Sequence, residues 1–239
     1  SGAVIHALAG EQDMRKMGGL KAKTKVTYWC FVIGALAIAG FPGLAGFFSK
    51  DAVLAGAFAG GYWYFWLVGL AAAFMTAFYM FRLIFMTFHG QPRDRALFEH
   101  AHEAPRSMTI PLIVLAVPSV LVGLLLGLPP EDGHLSRLLA PVFTAAGAEH
   151  HGFGLSTALL MAASATVAIG GILLAWQFYI RRPELPAKVT ERSGFLYRML
   201  LNRYWVDEFY DVAVVRPTLA LSRGLWRLVD VRIIDGFVH

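Results

Sequence analysis

Lys50 and Asp51 stand side by side in an otherwise uncharged stretch, "GFPGLAGFFSKDAVLAGA", at residues 40–57. An amine and a carboxyl are groups that bind and release protons. Surroundings of low polarity disfavour their charged forms, which reduces the free-energy difference between the charged and neutral forms. No Asp, Glu, Lys or Arg occurs in residues 26–49 or 52–81. The pair is therefore predicted to lie inside a membrane-spanning region, and its chemistry would be proton transfer.

The predicted depth of Lys50 makes its charge costly. Lys50 precedes Gly60 by ten residues, which is about 15 Å of helix, or half of a hydrocarbon core about 30 Å thick. A bare ammonium at that depth costs at least about 2.5–3.5 kcal/mol. The amine can pair with an acid, face a wet cavity or lose its proton. Asp51 is no clear partner, because adjacent helical residues point in different directions. A proton carrier is favoured over a structural salt bridge.

A helix break is predicted close to this lysine. One helix over residues 26–60 would be longer than a simple span requires. Pro42 lacks an N–H and clashes with the preceding turn, while Gly40 and Gly43 loosen the backbone around it. The sequence therefore predicts a discontinuous helix, with segments 26–40 and 44–59. Broken helices at membrane depth line cavities, so water is expected near Lys50.

Composition extends the membrane prediction to the rest of the chain. Its 239 residues are 57% hydrophobic and 15% charged, and the mean hydropathy is +0.56. This excess of apolar residues argues against a soluble helical protein. The predicted fold is an all-α, polytopic transmembrane helix bundle with one broken helix. Residues 1–25 would hold the end of a preceding helix and a loop, and the spans would be 26–60, 62–88, 107–128 and 154–180.

Basic residues suggest an orientation for these spans. Lys and Arg are concentrated in loops 9–25 and 89–106 and in the connection 182–203, whereas loop 129–153 carries only Arg137. By the positive-inside rule, the basic loops and the C-terminal segment are predicted to be cytoplasmic. The net charge of +5 is explained in this way, and no nucleic-acid partner is expected.

The C-terminal segment, 204–239, differs from the spans because charges recur along it. At 100° per residue its charged side chains fall on one face, and apolar residues mostly lie elsewhere. The pattern predicts an amphipathic helix, with an interruption at Arg216 and Pro217. It would be a surface helix or a lateral helix along neighbouring subunits. The residues of the charged face are Glu208, Arg216, Arg223, Arg227 and Asp230.

Other ionisable residues are weaker candidates for a functional role. Arg82 and His6 are read as interfacial, although His6 could belong to a proton route. Glu149, His150 and His151 supply too few ligands for a metal site, and none is predicted. Cys30 is the single cysteine, so no disulfide can form within the chain. The sequence contains no P-loop and no dinucleotide-binding glycine fingerprint.

Two pairs of motifs resemble one family. "GEQDMRKMGGL" and "GFFSKDAVLAGA" near the N-terminus, with "AFMTAFYMFRLIFMTFHG" and "RYWVDEFYDVAVVRPTLALS" further on, are similar to the antiporter-like membrane subunits of proton-pumping NADH:quinone oxidoreductase, respiratory complex I. The chain resembles the C-terminal part of the chain L type, which corresponds to mitochondrial subunit five. The family is related to the large subunits of multi-subunit cation/proton antiporters.

The resemblance implies roles that spacing does not show. Lys50 would be the proton-transferring lysine on a broken helix, Asp51 its adjacent acid, and the segment from about residue 204 the start of a lateral helix. The chain would belong to an enzyme complex yet hold no cofactor, since NADH, FMN, iron–sulfur clusters and quinone would be bound elsewhere. Its partners would be neighbouring antiporter-like subunits and the lipid bilayer, and its location the bacterial inner (plasma) membrane. The alternatives are a large subunit of a Na⁺/H⁺ antiporter and a non-catalytic membrane scaffold.

Overall fold

The computed structural model describes residues 2–127 and 155–234, and these residues form helices and turns with no β-strand. They fall into two compact units, Ser1–Pro183 and Glu184–His239. The α-helices are α1 Gly2–Ala7, α2 Lys25–Ala39, α3 Ala45–Ala59, α4 Trp63–Phe88, α5 Arg95–His100, α6 Arg106–Gly127, α7 Leu155–Trp176, α8 Leu185–Arg192, α9 Gly194–Leu201, α10 Val206–Tyr210 and α11 Arg216–Leu225.

Three helical segments in the described part of the chain are long and apolar enough to cross a bilayer. They are Trp63–Phe88, Arg106–Gly123 and Ala158–Arg181, the last of which includes a π-helical turn after α7. Helices α2 and α3 have 15 residues each, or about 22 Å, so neither crosses the hydrocarbon core alone. The protein is an all-α membrane helix bundle, as predicted. The predicted loop 129–153, with Arg137, Glu149, His150 and His151, lies outside the described residues.

Small residues set the packing within the first unit. Helix α4 packs along α7, and α3 contacts α2, α4, α6 and α7. Ala77 of α4 and Ala175 of α7 are completely buried. A Cβ added to Gly171 would lie 2.7 Å from the Phe74 carbonyl oxygen, too close for any side chain. Membrane helices approach closely where side chains are small, because van der Waals packing then replaces lipid contacts.

The second unit is a series of exposed helices. Helices α8 and α9 are followed by the turn Arg203–Trp205 and by a helical run from Val206 to Ile234. Many apolar side chains along this run are exposed, and Phe209 and Leu221 are about two-thirds exposed. Arg216 and Arg223 are seven residues apart and share a face of α11. Residues 235–239 lie outside the described part of the chain.

Pro217 does not interrupt this run, contrary to the expectation from the sequence. Val215 and Arg216 keep helical dihedral angles, and Pro217 lies in the first turn of α11, where its missing N–H is tolerated. The irregularity precedes it, because Asp211–Val215 forms a π-helical turn. The wider turn shifts the angular position of every later residue. The charged face calculated at 100° per residue therefore does not continue unchanged from Glu208 to Arg227.

A carboxylate from a distant loop caps α2. Glu103 accepts hydrogen bonds from the backbone N–H groups of Val26 (2.8 Å) and Thr27 (3.3 Å) and from the Thr27 hydroxyl (2.6 Å). Thr24, at the N-cap position, makes no side-chain capping bond. Glu103 therefore satisfies donors that the helix leaves free, and its negative charge lies at the positive end of the helix dipole.

Replacing Glu103 with Ala should lower the free energy of unfolding by about 0.5–2 kcal/mol, the usual cost of a lost N-cap. Thermal unfolding of the assembled protein in detergent would measure the change. Glu103→Gln keeps one acceptor oxygen and should cost less. Equal losses from the two substitutions would contradict a capping role, and so would no loss from Glu103→Ala.

Candidate proton-transfer site

The site is built at the C-terminus of α2, where Gly40 ends the helix. Gly40 adopts a left-handed conformation (φ 77°, ψ 42°), which glycine reaches without a Cβ penalty. Its N–H donates to the Ala37 carbonyl (3.1 Å), and the N–H of Phe41 donates to the Leu36 carbonyl (3.0 Å). This is a Schellman motif, and it satisfies two of the last four carbonyls of α2.

Lys50 satisfies the other two carbonyls. Its Nζ donates to the carbonyl of Ile38 at 3.3 Å and to that of Ala39 at 3.1 Å. Both carbonyls lie at the negative end of the α2 dipole, which favours a cation. Lys50 is carried by α3 but binds the end of α2, so its amine sits directly at the helix break. The absence of a side chain at Gly40 leaves room for this contact, since a Cβ there would lie only 3.2 Å from Lys50 Nζ.

Two further glycines hold α3 at this position. A Cβ on Gly46 would overlap the Ala37 carbonyl of α2, and a Cβ on Gly123 of α6 would overlap the backbone at Leu44 and Ala45. Both glycines are therefore points of close backbone approach. They fix the start of α3 against α2 and α6 and so determine where the Lys50 side chain reaches.

Asp51 points to a different neighbour. Its side chain is 6% exposed, and Oδ1 accepts a hydrogen bond from the hydroxyl of Ser164 on α7. The other carboxylate oxygen, Oδ2, is buried and has no hydrogen-bond partner among the described residues. Lys50 and Asp51 are thus adjacent in sequence but are held by separate helices, α2 and α7.

Pro42 and Gly43 line an apolar cavity of about 400 Å³ beside the break. Lys50 is not among the residues that line it. Gly43 has a φ of 90°, so a side chain there would strain the backbone. The walls of this cavity are apolar, and the water expected near Lys50 stays a prediction. Its other lining residues are Ile33, Leu36, Phe41, Leu44 and Val120.

Ser164 and Gly46 were not predicted from the sequence as residues of this site. Ser164 lies in an apolar span, where a serine commonly bonds its own helix backbone, and it does contact the Met161 carbonyl at 3.1 Å. Gly46 is one of several glycines in the same stretch, and Gly56 on α3 has open space around it. Nothing in the local sequence distinguishes the close-packed glycine from the free one.

The other predicted residues lie away from Lys50. The Arg82 guanidinium lies 5.6 Å from the ring centre of Tyr179, a cation–π contact. His6 is exposed on α1, and its ring lies 6.1 Å from that of His102. The described residues contain no cluster of three or more metal-ligating side chains. Neither Arg82 nor His6 hydrogen-bonds to the Lys50 and Asp51 pair.

His89, immediately after α4, forms a separate polar contact. Its Nε2 lies 3.1 Å from the hydroxyl of Tyr28. Burial lowers the pKa of His89 below its ordinary value, and the nearby Lys21 ammonium lowers it further. His89 therefore has a lower affinity for a proton in the folded protein than in the unfolded chain.

Because the pKa of His89 is lower in the folded state, acid should destabilise the protein through this residue. Above about pH 6.5 His89 is neutral in both states. As the pH falls below that value the unfolded chain binds a proton first, so the free energy of unfolding decreases. His89→Gln should make stability less sensitive to pH between about 6.5 and the lower pKa of the folded state, as measured by thermal unfolding in a pH series. An unchanged pH dependence in His89→Gln would exclude this role.

Comparison with known proteins shows which family this chain resembles. Residues 1–76, which contain the break and Lys50, match the family described as NADH:quinone oxidoreductase/Mrp antiporter, TM. An NAD(P)H-quinone oxidoreductase chain 5 from Picosynechococcus sp. is 39% identical over 267 residues, an alignment covering 100% of this chain and 40% of the relative.

Two bacterial relatives agree with this match. NADH-quinone oxidoreductase subunit L of Neisseria meningitidis serogroup B is 34% identical over 268 residues, covering 99% of this chain and 39% of the relative. Subunit L of Rhodobacter capsulatus is 33% identical over 308 residues, covering 100% and 43%. The chain thus spans about two-fifths of the length of these relatives. It belongs to the NADH:quinone oxidoreductase/Mrp antiporter family of membrane proteins and is related along its whole length to the subunit L and chain 5 proteins, in agreement with the resemblance of its motifs.

Proposed function

We propose that this chain is part of a proton-translocating membrane subunit of an NADH:quinone oxidoreductase, and that Lys50 is the group that takes up and releases the proton. Quinone reduction elsewhere in the complex would drive the cycle. The names of the relatives, subunit L and chain 5 of quinone oxidoreductases, support the complex. The contacts of Lys50 support the residue.

The observation that carries this proposal is the pair of carbonyls that bind Lys50. An ammonium has three N–H donors and a neutral amine has two. The carbonyls of Ile38 and Ala39 accept two hydrogen bonds, so they remain satisfied after one proton leaves. The third N–H of the ammonium has no partner among the described residues and would be the one transferred. Both charge states therefore keep the same contacts with the end of α2.

Small changes around the amine would then decide its charge. The carbonyl dipoles at the end of α2 favour the ammonium, while the membrane environment favours the neutral amine. Moving a counter-charge, or admitting a few waters at the break, would shift this balance. Asp51 is the nearest such charge along the chain, and we propose that it takes part in proton transfer.

The remaining parts of the mechanism would belong to other subunits. NADH, FMN, iron–sulfur clusters and quinone would be bound there, and this chain would hold no redox centre. The segment from residue 204 onward would be the start of a lateral helix that contacts neighbouring antiporter-like subunits. Loops 9–25 and 89–106 and the C-terminal segment would face the cytoplasm of a bacterial cell.

A second candidate function follows from the family description, which includes Mrp antiporters. In that case the chain would belong to a Na⁺/H⁺ antiporter that works without NADH. Both functions require Lys50 to exchange a proton, but they differ in the source of energy. A non-catalytic scaffold is the third interpretation, and in it Lys50 would serve only to hold α3 against α2.

Purification and reconstitution would separate these functions. The full-length subunit carrying this segment should co-purify with flavin and iron–sulfur proteins, and vesicles containing the complex should acidify on addition of NADH and quinone. A pH gradient driven by Na⁺, with no flavin protein in the preparation, would replace the proposal with the antiporter. NADH oxidation with normal pumping after the loss of Lys50 would favour the scaffold.

A further inference from the structure

Asp51 and Ser164 form a buried polar pair between α3 and α7. Asp51 is 6% exposed and Ser164 is 5% exposed. The Ser164 hydroxyl lies within hydrogen-bond distance of two oxygens, Asp51 Oδ1 and the Met161 carbonyl. No other side chain of the described residues donates a hydrogen bond to Asp51, and its Oδ2 is unpartnered. The carboxyl therefore depends on one hydroxyl.

The two contacts of Ser164 cannot both use its hydrogen at once. A serine hydroxyl has one donor and two acceptor lone pairs. When Asp51 is ionised, the hydroxyl can donate to Oδ1. When Asp51 is protonated, the carboxylic acid can donate to the hydroxyl oxygen, while the hydroxyl hydrogen turns to the Met161 carbonyl, 3.1 Å away. Rotation of one O–H bond thus provides a partner for either form of the acid.

We propose that Ser164 is a positioning residue that stabilises Asp51 in both protonation states, so that the Asp51–Ser164 pair is a second proton-holding group beside Lys50. This inference rests on the proposed proton-translocating function. A buried carboxyl without a partner is costly in its charged form. Because the Ser164 hydroxyl can either donate or accept a hydrogen bond, it reduces the free-energy difference between the ionised and protonated forms of Asp51. Lys50 has an equivalent arrangement, in which its carbonyl partners suit both the amine and the ammonium.

The proton balance follows from these contacts. The Lys50 ammonium gives up one proton and becomes a neutral amine, and the Asp51 carboxylate gains one and becomes a carboxylic acid. The total charge of the pair is zero before and after. Ser164 keeps its own proton throughout, since its hydroxyl only turns from Asp51 to Met161. The exchange leaves each new neutral group with hydrogen-bond partners on a different helix, α2 for Lys50 and α7 for Asp51.

Ser164→Ala in the assembled complex tests this inference. The substitution removes one oxygen and should leave assembly and NADH oxidation intact, while proton pumping per NADH falls several-fold. Ser164→Thr retains the hydroxyl and should restore pumping. The matched control is Thr166→Ala on the same helix, because Thr166 is exposed and its hydroxyl bonds only its own helix, at the Ala162 carbonyl (2.7 Å). Thr166→Ala should pump normally.

Infrared spectroscopy of the same complexes reports whether protonated Asp51 is hydrogen-bonded to Ser164. The carboxylic-acid C=O band that disappears in Asp51→Asn belongs to Asp51, and it should move to higher frequency in Ser164→Ala because a hydrogen bond is lost. An unchanged band, normal pumping in Ser164→Ala, or a Ser164→Thr variant as weak as Ser164→Ala would each overturn the inference. So would loss of assembly in Ser164→Ala alone.

The Lys50→Ala variant separates this inference from the function on which it rests. Normal pumping by Lys50→Ala would contradict the proposed function itself. Impaired pumping by Lys50→Ala together with normal pumping by Ser164→Ala would leave the function standing and remove only the role of Ser164. In the Asp51→Asn background, Ser164→Ala should cause no further loss, because the two residues act as one unit.

Discussion

Lys50→Ala is expected to abolish most of the proton pumping of the assembled complex while NADH oxidation continues. The amine is the group whose third N–H proton would be transferred, and alanine offers no proton. Its loss also leaves the carbonyls of Ile38 and Ala39 without their donor. Acidification of vesicles, measured against NADH oxidation in the same preparation, would report the coupling.

Lys50→Arg distinguishes proton transfer from charge and packing. A guanidinium can donate to both carbonyls but holds its proton at every physiological pH. This variant should therefore assemble better than Lys50→Ala and still pump poorly. Lys25→Ala, which removes an exposed lysine at the start of α2, is the control and should behave as wild type. Full pumping by Lys50→Arg would exclude transfer of a proton from this side chain.

Gly46→Ala should have the second largest effect, although it removes no chemical group. The added methyl would overlap the Ala37 carbonyl, and backbone atoms cannot move aside as a flexible side chain can. Helix α3 would have to shift away from α2, which draws Lys50 Nζ away from the two carbonyls. Overpacking of this kind costs about 1–3 kcal/mol or more. Both the thermal stability of the complex and pumping per NADH should fall.

Gly56→Ala is the matched control for this prediction. Gly56 lies on the same helix, and a Cβ there meets nothing within 4 Å. Since alanine has the higher helix propensity, Gly56→Ala should leave stability unchanged or slightly raise it. If Gly46→Ala and Gly56→Ala had equal effects, close approach of α3 to α2 would not explain the role of Gly46.

Residue types near Lys50 were enough to predict much of this arrangement. Pro42 between Gly40 and Gly43 cannot continue a helix, and the structure ends α2 at Ala39 and begins α3 at Ala45. Adjacent helical positions point apart, and Lys50 and Asp51 do contact different helices. These expectations depend only on backbone geometry within a few residues, so a single sequence can provide them.

Contacts between distant segments could not be predicted in the same way. Ser164 is 113 residues from Asp51, and Glu103 is 77 residues from the N–H group of Val26 that it caps. The prediction for Pro217 was wrong although it rested on a local effect. The proline was expected to interrupt the helix, but the helix continues past it, after the π-helical turn Asp211–Val215. A proline at the first turn is compatible with a helix, and the sequence does not show where that turn begins.

The sequence by itself determined the class of this protein, because uncharged apolar runs of this length are typical of helices that span a bilayer. It also identified Lys50 and Asp51 as the ionisable pair within those runs. Only the tertiary structure decided what these groups contact. Lys50 closes the end of α2, and Asp51 meets the hydroxyl of Ser164 on α7. The physical reason is that hydrogen-bond partners depend on how closely whole helices approach, and glycines such as Gly46 set that distance in three dimensions.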